Sequence, residues 1–329
     1  MTQQFWQPSA PLANIKLRAD ILKGVRDYFA NEKVIEVETP ILSQASVTDI
    51  HLDSFVTHFK PIGEPDGKTL YLHTSPEFHM KRVLAAFHED IYQICHVFRN
   101  GEAGGKHNPE FTMLEWYRIG LDHHQLMDDM TKLLSSIVDF TELRRVSYQQ
   151  VFEEHLGINP HRTATQKLEK IVHEKIDDHL VGLERNSLLD LLFTHYIEPS
   201  LGWAAENKLA GVYVYDFPAS MAALARVDTD VDNQQVASRF ELFINGVELA
   251  NGYHELVDGI EQAKRFKHDQ NKRKELGYPQ NPHDEHLLTA LAEGLPDCAG
   301  VAIGVDRLLM LLAGTQEIAD VIAFDFERS

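Results

Sequence analysis

Two glutamates lie on either side of an Asn-Gly pair that predicts a tight turn. Glu241 precedes Asn245-Gly246 by four positions, and Glu248 follows the pair by two. Asn-Gly between β-type segments is the strongest short hairpin signal, because both central residues of the turn need positive φ. A two-residue loop pairs position 243 with 248 and 241 with 250, so the two glutamates share a face, roughly 7–8 Å apart at the backbone. Such carboxylates either bind one hard cation, for example Mg²⁺, or lie on a solvated face.

The same strand continues with three more polar side chains, Asn251, Tyr253 and Glu255. Strict alternation places them on the face opposite Glu248. A second Asn-Gly pair, at 251–252, is also compatible with a bulge, which would turn these side chains in another direction. The pattern leaves open whether the two sets converge on one site.

Two arginines occupy positions suited to phosphate. Arg99 precedes the glycine-rich loop 100–109. Guanidinium is the preferred planar donor for phosphate oxygens, and glycines let a backbone approach a ligand. Arg307 follows the small-residue run 300–304 and falls in the first turn of a predicted helix, where a cation opposes the helix dipole. A bound phosphate would remove that conflict.

A carboxylate and a phenol share one face of the strand that returns from this loop. Glu115 and Tyr117 are two positions apart on the predicted strand 110–118. Residues two apart on a strand point to the same side. The pair could hold the ammonium group of a ligand, or it could be a satisfied polar pair at the edge of a sheet.

The spacing of apolar residues predicts the elements that position these groups. The predicted helices are 14–32, one that begins at Ser75-Pro76-Glu77, 259–275 and 306–313, with a mostly helical segment at roughly 123–200. The predicted strands are 34–40, 71–74, 92–99, 110–118, 211–215, 238–244, 247–254 and 299–304. Strands, then helices, then strands favour an α+β fold with a mostly antiparallel sheet.

Composition excludes some classes of protein. The chain carries 50 Asp+Glu against 31 Lys+Arg, a formal charge of −19, which excludes a protein built mainly to bind nucleic-acid phosphates. Cys95 and Cys298 make neither a disulfide framework nor a zinc motif, which fits a reduced compartment. The amino terminus has no signal-peptide core, and no window approaches about 18 uninterrupted apolar residues. We therefore expect a cytoplasmic protein with no membrane partner.

Three sets of residues resemble the signature motifs of class II aminoacyl-tRNA synthetases. They are Gly24 with Val37-Glu38-Thr39-Pro40, Phe98-Arg99-Asn100 with His107-Asn108-Pro109-Glu110-Phe111, and Gly304-Val305-Asp306-Arg307. Within that class the chain is most similar to lysyl-tRNA synthetase. It matches that pattern at Thr74-Ser75-Pro76-Glu77, at 107–117, at Glu241 and Glu248, and at 251–255. The resemblance spans roughly residues 14–315. It implies a class II catalytic domain, an antiparallel sheet flanked by helices, and a homodimer formed through the first motif.

The resemblance implies that the chain binds ATP and Mg²⁺. It assigns Arg99 to the α-phosphate and Arg307 to the γ-phosphate, both as catalytic residues, and Glu241 and Glu248 to Mg²⁺. The other ATP-binding residues that it implies are Asn100, Glu102 and His107. The substrate carboxylate is itself the nucleophile in this family, so the reaction needs positioning and charge neutralisation more than a general base.

The resemblance also implies a lysine-type amino acid as substrate. The residues it assigns to this substrate are Glu77 at an amino group, Glu115, Tyr117 and Glu255 at the side-chain ammonium, Asn251 near the carboxylate, Tyr253 along the chain, and Ala302 at the floor. Buried ammonium groups need carboxylate partners, and this set offers three.

Two positions depart from the lysyl-tRNA synthetase pattern. Gly101 stands where the second motif normally has a glutamate that contacts the adenine amino group, and Glu102 follows it. Glu102 either substitutes through a shifted loop or leaves adenine recognition weaker. Ala302 stands where the synthetases have glycine. One methyl group in an amino-acid pocket changes the fit by ~1–3 kcal/mol, so we expect a substrate that differs from α-lysine near its α-amino group.

The length of the chain bears on the acceptor. The first motif begins at Gly24 and 22 residues follow Arg307, whereas an anticodon-binding domain needs about 100. We expect a single catalytic domain over residues 1–329, with the helical insertion at 123–200, no anticodon-binding domain and no tRNA partner. The chain resembles the short bacterial family of elongation factor P–lysine ligases, which also has alanine at position 302. Members join (R)-β-lysine, through its adenylate, to a lysine ε-amino group of elongation factor P.

Other readings stay open at this point. A catalytically silent regulatory paralogue would fit Gly101, although Arg99, Arg307, Glu241 and Glu248 are retained. A truncated lysine-activating enzyme with a different acceptor would have the same motifs. A ligase that uses free ammonia would need a cation for a substrate carboxylate, yet these residues are rich in carboxylates. The basic cluster at 264–274 could face an acidic protein, or it is a solvated helix face.

Overall fold

The computed structural model describes residues 6–64, 66–204 and 209–329. These residues form two compact units. The first comprises the described residues up to Gly120 together with Leu256–Cys298 and Ala302–Ser329, and the second comprises Leu121–Glu255 and Ala299–Val301. The expectation of one catalytic domain over residues 1–329 stays a prediction.

The helices and strands follow one another along the chain in α+β order. The helices are α1 Leu12–Asn31, α2 Glu77–Phe87, α3 His123–Ile137, α4 Tyr148–Leu156, α5 Thr165–Lys175, α6 Arg185–Leu192, α7 Gly259–Glu275, α8 Glu285–Gly294 and α9 Val305–Ala313. The strands are β1 Ile35–Glu36, β2 Leu42–Ser43, β3 Val56–Phe59, β4 Lys68–Leu72, β5 Ile91–Phe98, β6 Glu110–Ile119, β7 Phe140–Ser147, β8 Leu209–Pro218, β9 Val227–Thr229, β10 Gln235–Ile244, β11 Val247–His254 and β12 Cys298–Gly304.

The first unit is built around the antiparallel pair of β5 and β6. Register runs from Ile91 opposite Tyr117 to Phe98 opposite Glu110, and β1 adds to β5 in parallel. Helix α1 buries one face, because its apolar residues recur every fourth position. Phe29, on that face, stacks on Tyr92 of β5 with ring centroids 4.3 Å apart. Strands β2, β3 and β4 form a separate small antiparallel sheet in this unit, in the order β2-β4-β3.

The second unit is built around β10. Strands β8, β9 and β11 pair with β10 antiparallel, and β7 pairs with β8 in parallel. Its core is aromatic, with Tyr148, Phe152, Phe193, Phe217 and Phe243 buried together. The antiparallel α+β fold predicted from the sequence is confirmed.

One element in the middle of the chain was not predicted. The segment at 123–200 contains α3, α4, α5 and α6, as expected, but it also contains β7. The sequence Phe-Thr-Glu-Leu-Arg-Arg-Val-Ser is mostly polar and has little apolar alternation. Pairing with β8 makes it a strand, and that pairing depends on residues some 70 positions away.

None of the helices in residues 6–64, 66–204 and 209–329 combines the length and the apolar character that crossing a membrane requires.

Candidate functional site

The hairpin of β10 and β11 has the predicted two-residue turn, but its register differs from the prediction further along. Asn245 and Gly246 have φ of 50° and 68°. Phe243 lies opposite Glu248, as predicted, whereas Glu241 lies opposite Asn251 and not opposite position 250. Leu249 is the extra residue, since Leu242 pairs with Ala250 and Phe243 with Glu248. A single inserted residue of this kind is a β-bulge.

The bulge at Leu249 changes which side chains share a face. Opposed residues lie on the same face, and so do residues two apart on one strand. Asn251 and Tyr253 therefore share the face of Glu241, whereas strict alternation predicts the opposite face for them. Glu241 and Glu248 share a face, as predicted. The sequence is also compatible with a bulge at Asn251-Gly252. That pair lies in regular register opposite Glu241 and Phe240, so the irregularity is at Leu249 instead.

Gly252 is required by its cross-strand partner. It pairs with Phe240, and a Cβ at position 252 would lie 2.5 Å from that aromatic ring and 3.0 Å from Val301. No side chain fits in this space without displacement of the ring. The glycine therefore serves the packing of the sheet and not a turn.

Arg239 joins Glu241 to Asn251 on this face. Its guanidinium forms an ion pair with Glu241, and its Nε donates to Asn251 Oδ1 at 3.2 Å. Burial, with the nearby Glu248 carboxylate adding to it, raises the pKa of Glu241 to about 8, although Arg239 opposes this shift. The face thus carries two neighbouring carboxylates and an amide oxygen beside one arginine. That donor set fits a hard divalent cation, which prefers oxygen ligands.

Arg99 lies directly after β5 and has an unused donor. Its backbone N–H donates to Pro109 O at 2.9 Å, which closes the loop 100–109 at its base. Its guanidinium lies over the ring of Phe111, 5.1 Å from the centroid, and 3.6 Å from Glu102. Arg99 Nε is buried and has no hydrogen-bond partner among the described residues. A buried guanidinium N–H without an acceptor fits an anionic ligand.

Arg307 and His107 meet in the first unit. Arg307 lies in the first turn of α9, as predicted, and its guanidinium is 2.8 Å from His107 Nε2. Burial and the Arg307 charge lower the pKa of His107, so the imidazole is neutral and its Nε2 accepts from the arginine. Two backbone hydrogen bonds between Gly104 and His107 hold the loop in place.

Asp306, which sequence reasoning did not single out, positions the start of α9. Its carboxylate is buried, accepts the backbone N–H of Thr112 at 2.6 Å and forms an ion pair with Arg18. It therefore ties α9 to β6 and α1. Its place beside Arg307 in the third motif is the signal that could have identified it. A carboxylate that is buried there needs hydrogen-bond donors or a cation as partners.

Gly101 gives the loop after Arg99 a left-handed backbone conformation. Gly101 has φ of 87°, a left-handed conformation that glycine adopts without strain. Glu102 points its carboxylate toward Arg99, and the Asn100 side chain donates to Asp53 Oδ2 at 3.1 Å. The part of Asn100 and Glu102 in adenine recognition stays a prediction.

Glu115 and Tyr117 form a hydrogen-bonded group with Ser75. The Tyr117 hydroxyl donates to Glu115 Oε1 and the Ser75 hydroxyl donates to Glu115 Oε2, both at 2.7 Å. Glu115 is 3% exposed. Burial, with Glu77 nearby, raises the pKa of Glu115 to about 7, although both hydroxyl groups oppose this shift. Both oxygens of Glu115 therefore accept a hydrogen bond. The pKa of this carboxyl lies near neutral pH, so it can be protonated or ionised there.

Lys81 is a second residue that sequence reasoning missed. It lies one turn after Glu77 on α2, and its Nζ is 2.7 Å from Glu77 Oε1. Its spacing of four residues from Glu77 is a common helical ion-pair signal, but only the fold shows that this lysine is buried.

The remaining predicted residues lie as follows. Tyr253 is half-buried opposite Arg239, and Glu255 is buried at a bridge to Ala225. Ala302 is half-buried on β12. Each unit thus gathers its own predicted groups: the first holds an arginine–histidine group and a carboxylate–hydroxyl group, and the second holds the acidic face of β10 and β11. The roles of all these residues stay predictions.

Comparison with known proteins agrees with the geometry. The family model for class II tRNA synthetases (D, K and N) matches residues 7–328. An elongation factor P–(R)-β-lysine ligase of Yersinia enterocolitica is 51% identical over 326 residues, which cover 98% of each chain. Proteins of the same name from Edwardsiella ictaluri and Salmonella paratyphi B are each 48% identical, again over 98% of each chain. The chain therefore belongs to the class II tRNA synthetase family (D, K and N), among the relatives named elongation factor P–(R)-β-lysine ligases.

Proposed function

We propose that this chain is an ATP-dependent ligase that joins (R)-β-lysine to a lysine ε-amino group of elongation factor P. The observation that carries the proposal is the match, at about half identity and over 98% of both chains, to relatives that bear this name. The half-buried alanine at 302 supports a substrate other than α-lysine, because its methyl group takes up space that glycine leaves open.

The reaction has two steps. The substrate carboxylate attacks the α-phosphorus of ATP, a new O–P bond forms, and pyrophosphate leaves. The acceptor amine then attacks the carbonyl carbon of the adenylate, an amide bond forms, and AMP leaves with the amine's surplus proton passed to solvent. The substrate carboxylate is already ionised, and the acceptor amine attacks in its neutral form. Both nucleophiles belong to the substrates, so neither step requires a nucleophilic side chain of the protein.

Positively charged groups of the first unit bind the triphosphate. Arg99 contacts the α-phosphate, where its partnerless Nε finds an acceptor, and Arg307 contacts the γ-phosphate. His107 accepts from Arg307 and so fixes the guanidinium in one orientation. Asn100 and Glu102 complete the ATP-binding residues. Charge that develops on the leaving pyrophosphate is stabilised by groups that are already in place.

Glu241 and Glu248 of the second unit bind Mg²⁺. The pairing of Phe243 with Glu248 supports this assignment, because it puts Glu248 on the face of Glu241, and the bulge at Leu249 adds Asn251 to that face. Bound Mg²⁺ neutralises phosphate charge. Arg239 keeps Glu241 in a fixed orientation through its ion pair.

Carboxylates bind the amino groups of the substrate. In the first unit Glu77, Glu115 and Tyr117 receive ammonium groups. In the second unit Asn251 and Tyr253 bind the carboxylate and the aliphatic chain, and Glu255 serves the side-chain ammonium. The buried position of Glu115 strengthens its attraction for a cation, because little water screens the pair.

The partners follow from the same assignment. The acceptor is elongation factor P and not tRNA, the chain works as a homodimer of one catalytic domain, and it needs no membrane. Its substrates ATP and a translation factor place it in the cytoplasm. Light scattering at micromolar concentration tests the dimer, and a monomer would contradict it.

Intact-mass analysis tests the reaction itself. Purified protein is incubated with ATP, Mg²⁺, (R)-β-lysine and elongation factor P, and we expect the mass of the factor to increase by one β-lysyl group. An Arg307→Ala variant is the control and leaves the factor unmodified. Pyrophosphate exchange without modification of the factor would indicate another acceptor. The absence of both would indicate a catalytically silent paralogue.

A further inference from the structure

Two histidines and an aspartate of the second unit converge at a place that the proposed reaction does not use. His123 and His124 are the first two residues of α3, and Asp216 lies near the end of β8. One ring nitrogen of each histidine and one carboxylate oxygen of Asp216 all lie within 4.8 Å of one another. Imidazole and carboxylate are side chains that bind transition metals through nitrogen and oxygen.

His123 is the buried member of this group. It is 7% exposed, and its Nε2 lies 3.1 Å from Asp216 Oδ1. Its Nδ1 is buried and has no hydrogen-bond partner among the described residues. Nε2 is the ring nitrogen that faces Asp216, so it is the atom of His123 that belongs to this group, and Nδ1 lies on the other side of the ring.

His124 lies beside the buried ring. The two imidazole centroids are 4.1 Å apart, and the edge of His124 meets Tyr215 at 5.0 Å. Burial, together with the neighbouring His123, lowers the pKa of His124, although Asp216 opposes this shift. The ring is therefore neutral at neutral pH, and the neutral form is the one that binds a metal.

Asp216 supplies the charge that a cation needs. It has φ of 58°, a conformation that is uncommon outside glycine and that aspartate tolerates better than most residues. Its carboxylate faces both histidines, and the Asp122 carboxylate and the Arg145 guanidinium also act on His124. The Asp216 charge offsets part of the charge of a divalent cation.

We propose that His123, His124 and Asp216 bind one divalent transition-metal ion of the zinc class. A tetrahedral ion with bonds of about 2.0–2.1 Å holds its ligand atoms roughly 3.3 Å apart. His123 Nε2 and Asp216 Oδ1 are hydrogen-bonded at 3.1 Å, which is close to this separation, and the ion replaces that hydrogen bond. The ion ties the start of α3 to the end of β8. It is separate from the Mg²⁺ assigned to Glu241 and Glu248, whose ligands are oxygen alone.

A second cluster of possible ligands provides the matched control. Asp177, Asp178 and His179 also bring three ligand atoms within 4.8 Å, but all three are exposed and only one is a histidine. Exposed acidic groups bind ions weakly, because water competes for each ligand position. If zinc bound by general attraction to acidic surface, this cluster would hold it as well as the other does.

Titration of the full chain with metal tests the proposal. The protein is freed of metal with a chelator and titrated with Zn²⁺ by calorimetry, in excess Mg²⁺ that occupies oxygen-only sites. We expect one strongly bound Zn²⁺ per chain, and His124→Ala and Asp216→Asn to weaken it by at least about 10–100-fold. His179→Ala leaves the affinity unchanged. Titration with Co²⁺ gives visible absorption bands in the parent protein that the His124→Ala variant lacks.

Thermal unfolding separates ligand loss from misfolding. An ion that binds only the folded state raises the melting temperature. Zn²⁺ is therefore expected to raise it in the parent protein and in His179→Ala but not in His124→Ala, whose metal-free melting is close to that of the parent because His124 lies outside the core. Failure of Zn²⁺ to bind, or equal binding by His124→Ala and the parent, would overturn the proposal.

Discussion

The ammonium group of Lys81 lies 2.7 Å from Glu77 Oε1, one helical turn away on α2, and the lysine side chain is only 2% exposed. The Lys81 charge also favours ionisation of Glu115 on β6. When Glu115 is ionised, these three groups carry two negative charges and one positive charge. Lys81 thus balances one of the two negative charges of Glu77 and Glu115. The remaining negative charge would be balanced by one ammonium group of a substrate.

The pair of Glu77 and Lys81 is expected to stabilise the fold strongly as a unit. Removal of either partner, by Lys81→Met or Glu77→Gln, breaks an ion pair whose lysine is buried and lowers the free energy of unfolding by up to about 3–5 kcal/mol. The double variant loses less than the sum, with an interaction energy of about 1–3 kcal/mol. Urea unfolding of the four proteins measures this.

The exposed pair of Lys23 and Asp27 on α1 is the matched control, since it has the same spacing of four residues. We expect no measurable coupling there, because water screens both charges. Additive effects of Glu77→Gln and Lys81→Met would contradict the assignment of a tightly coupled pair.

The pKa of Glu115, about 7, predicts how amino-acid use depends on pH. Below that value the carboxyl is protonated in the free protein and cannot pair with an ammonium group. The kcat/KM for the amino acid should therefore rise about tenfold per pH unit up to roughly pH 7 and level off above it. Pyrophosphate exchange at saturating ATP measures the profile.

Tyr117→Phe gives this profile a sharper test. The phenol donates to the ionised carboxylate and so lowers its pKa. Its loss raises the pKa, and the midpoint moves to higher pH. Tyr278→Phe, at an exposed tyrosine after α7, leaves the midpoint in place. An unchanged midpoint in Tyr117→Phe would show that a different group sets the profile.

The pKa of Glu241, about 8, predicts proton release when Mg²⁺ and ATP bind. The raised pKa means that part of the free protein holds a proton on this carboxyl at pH 7, despite the Arg239 ion pair, and a coordinating carboxylate must lose that proton. Calorimetry in two buffers of different ionisation enthalpy should show net proton release, and Glu241→Gln should abolish the contribution of this carboxyl. Glu248→Gln should reduce it, because Glu248 raises the pKa of Glu241. Equal release from all three proteins would exclude Glu241 as its source.

Ala302 is expected to set the preference between amino acids. Ala302→Gly removes one methyl group and should shift the ratio of kcat/KM toward α-lysine by about 10–100-fold, which corresponds to ~1–3 kcal/mol. Pyrophosphate exchange with each amino acid measures the ratio. Ala299→Gly on the same strand is the control and should leave the ratio as it is. A ratio that moves equally in both variants would point to strand stability instead of pocket shape.

Gly252 is expected to tolerate no side chain. In Gly252→Ala the new methyl group would meet the Phe240 ring at 2.5 Å, so we expect a loss of about 1–3 kcal/mol in the free energy of unfolding. Gly304→Ala is the matched control, because its methyl group would meet nothing nearer than 3.8 Å. Urea unfolding compares the two. A stable Gly252→Ala protein would mean that the Phe240 ring moves at little cost.

Local patterns in the sequence predicted those features that neighbouring residues decide. The turn at Asn245-Gly246, the helix that starts after Ser75-Pro76 and the place of Arg307 in the first turn of α9 are confirmed. Each depends on a few adjacent residues, because turn conformation and helix starts are short-range properties. The motif resemblance to class II synthetases was equally accessible, since it rests on residue types and spacing.

Features that depend on distant partners were not predictable. The bulge at Leu249 is seen only in the pairing of β11 with β10, and β7 becomes a strand only against β8. The sequence does not show that Lys81 is buried or that Arg239 forms an ion pair, although their partners Glu77 and Glu241 lie within four positions. The register and the burial are decided by the packing of whole elements, which a local pattern does not show.

The sequence by itself determined the family, the fold class and the residue types at the candidate sites, because each of these is carried by local pattern and motif spacing. Only the tertiary structure decided that Asn251 and Tyr253 share the face of Glu241 and Glu248. Only burial in the folded chain brings the pKa of Glu115 to about 7 and that of Glu241 to about 8. The physical reason is that side-chain direction depends on register, and ionisation depends on the loss of water, and both are properties of packed neighbours.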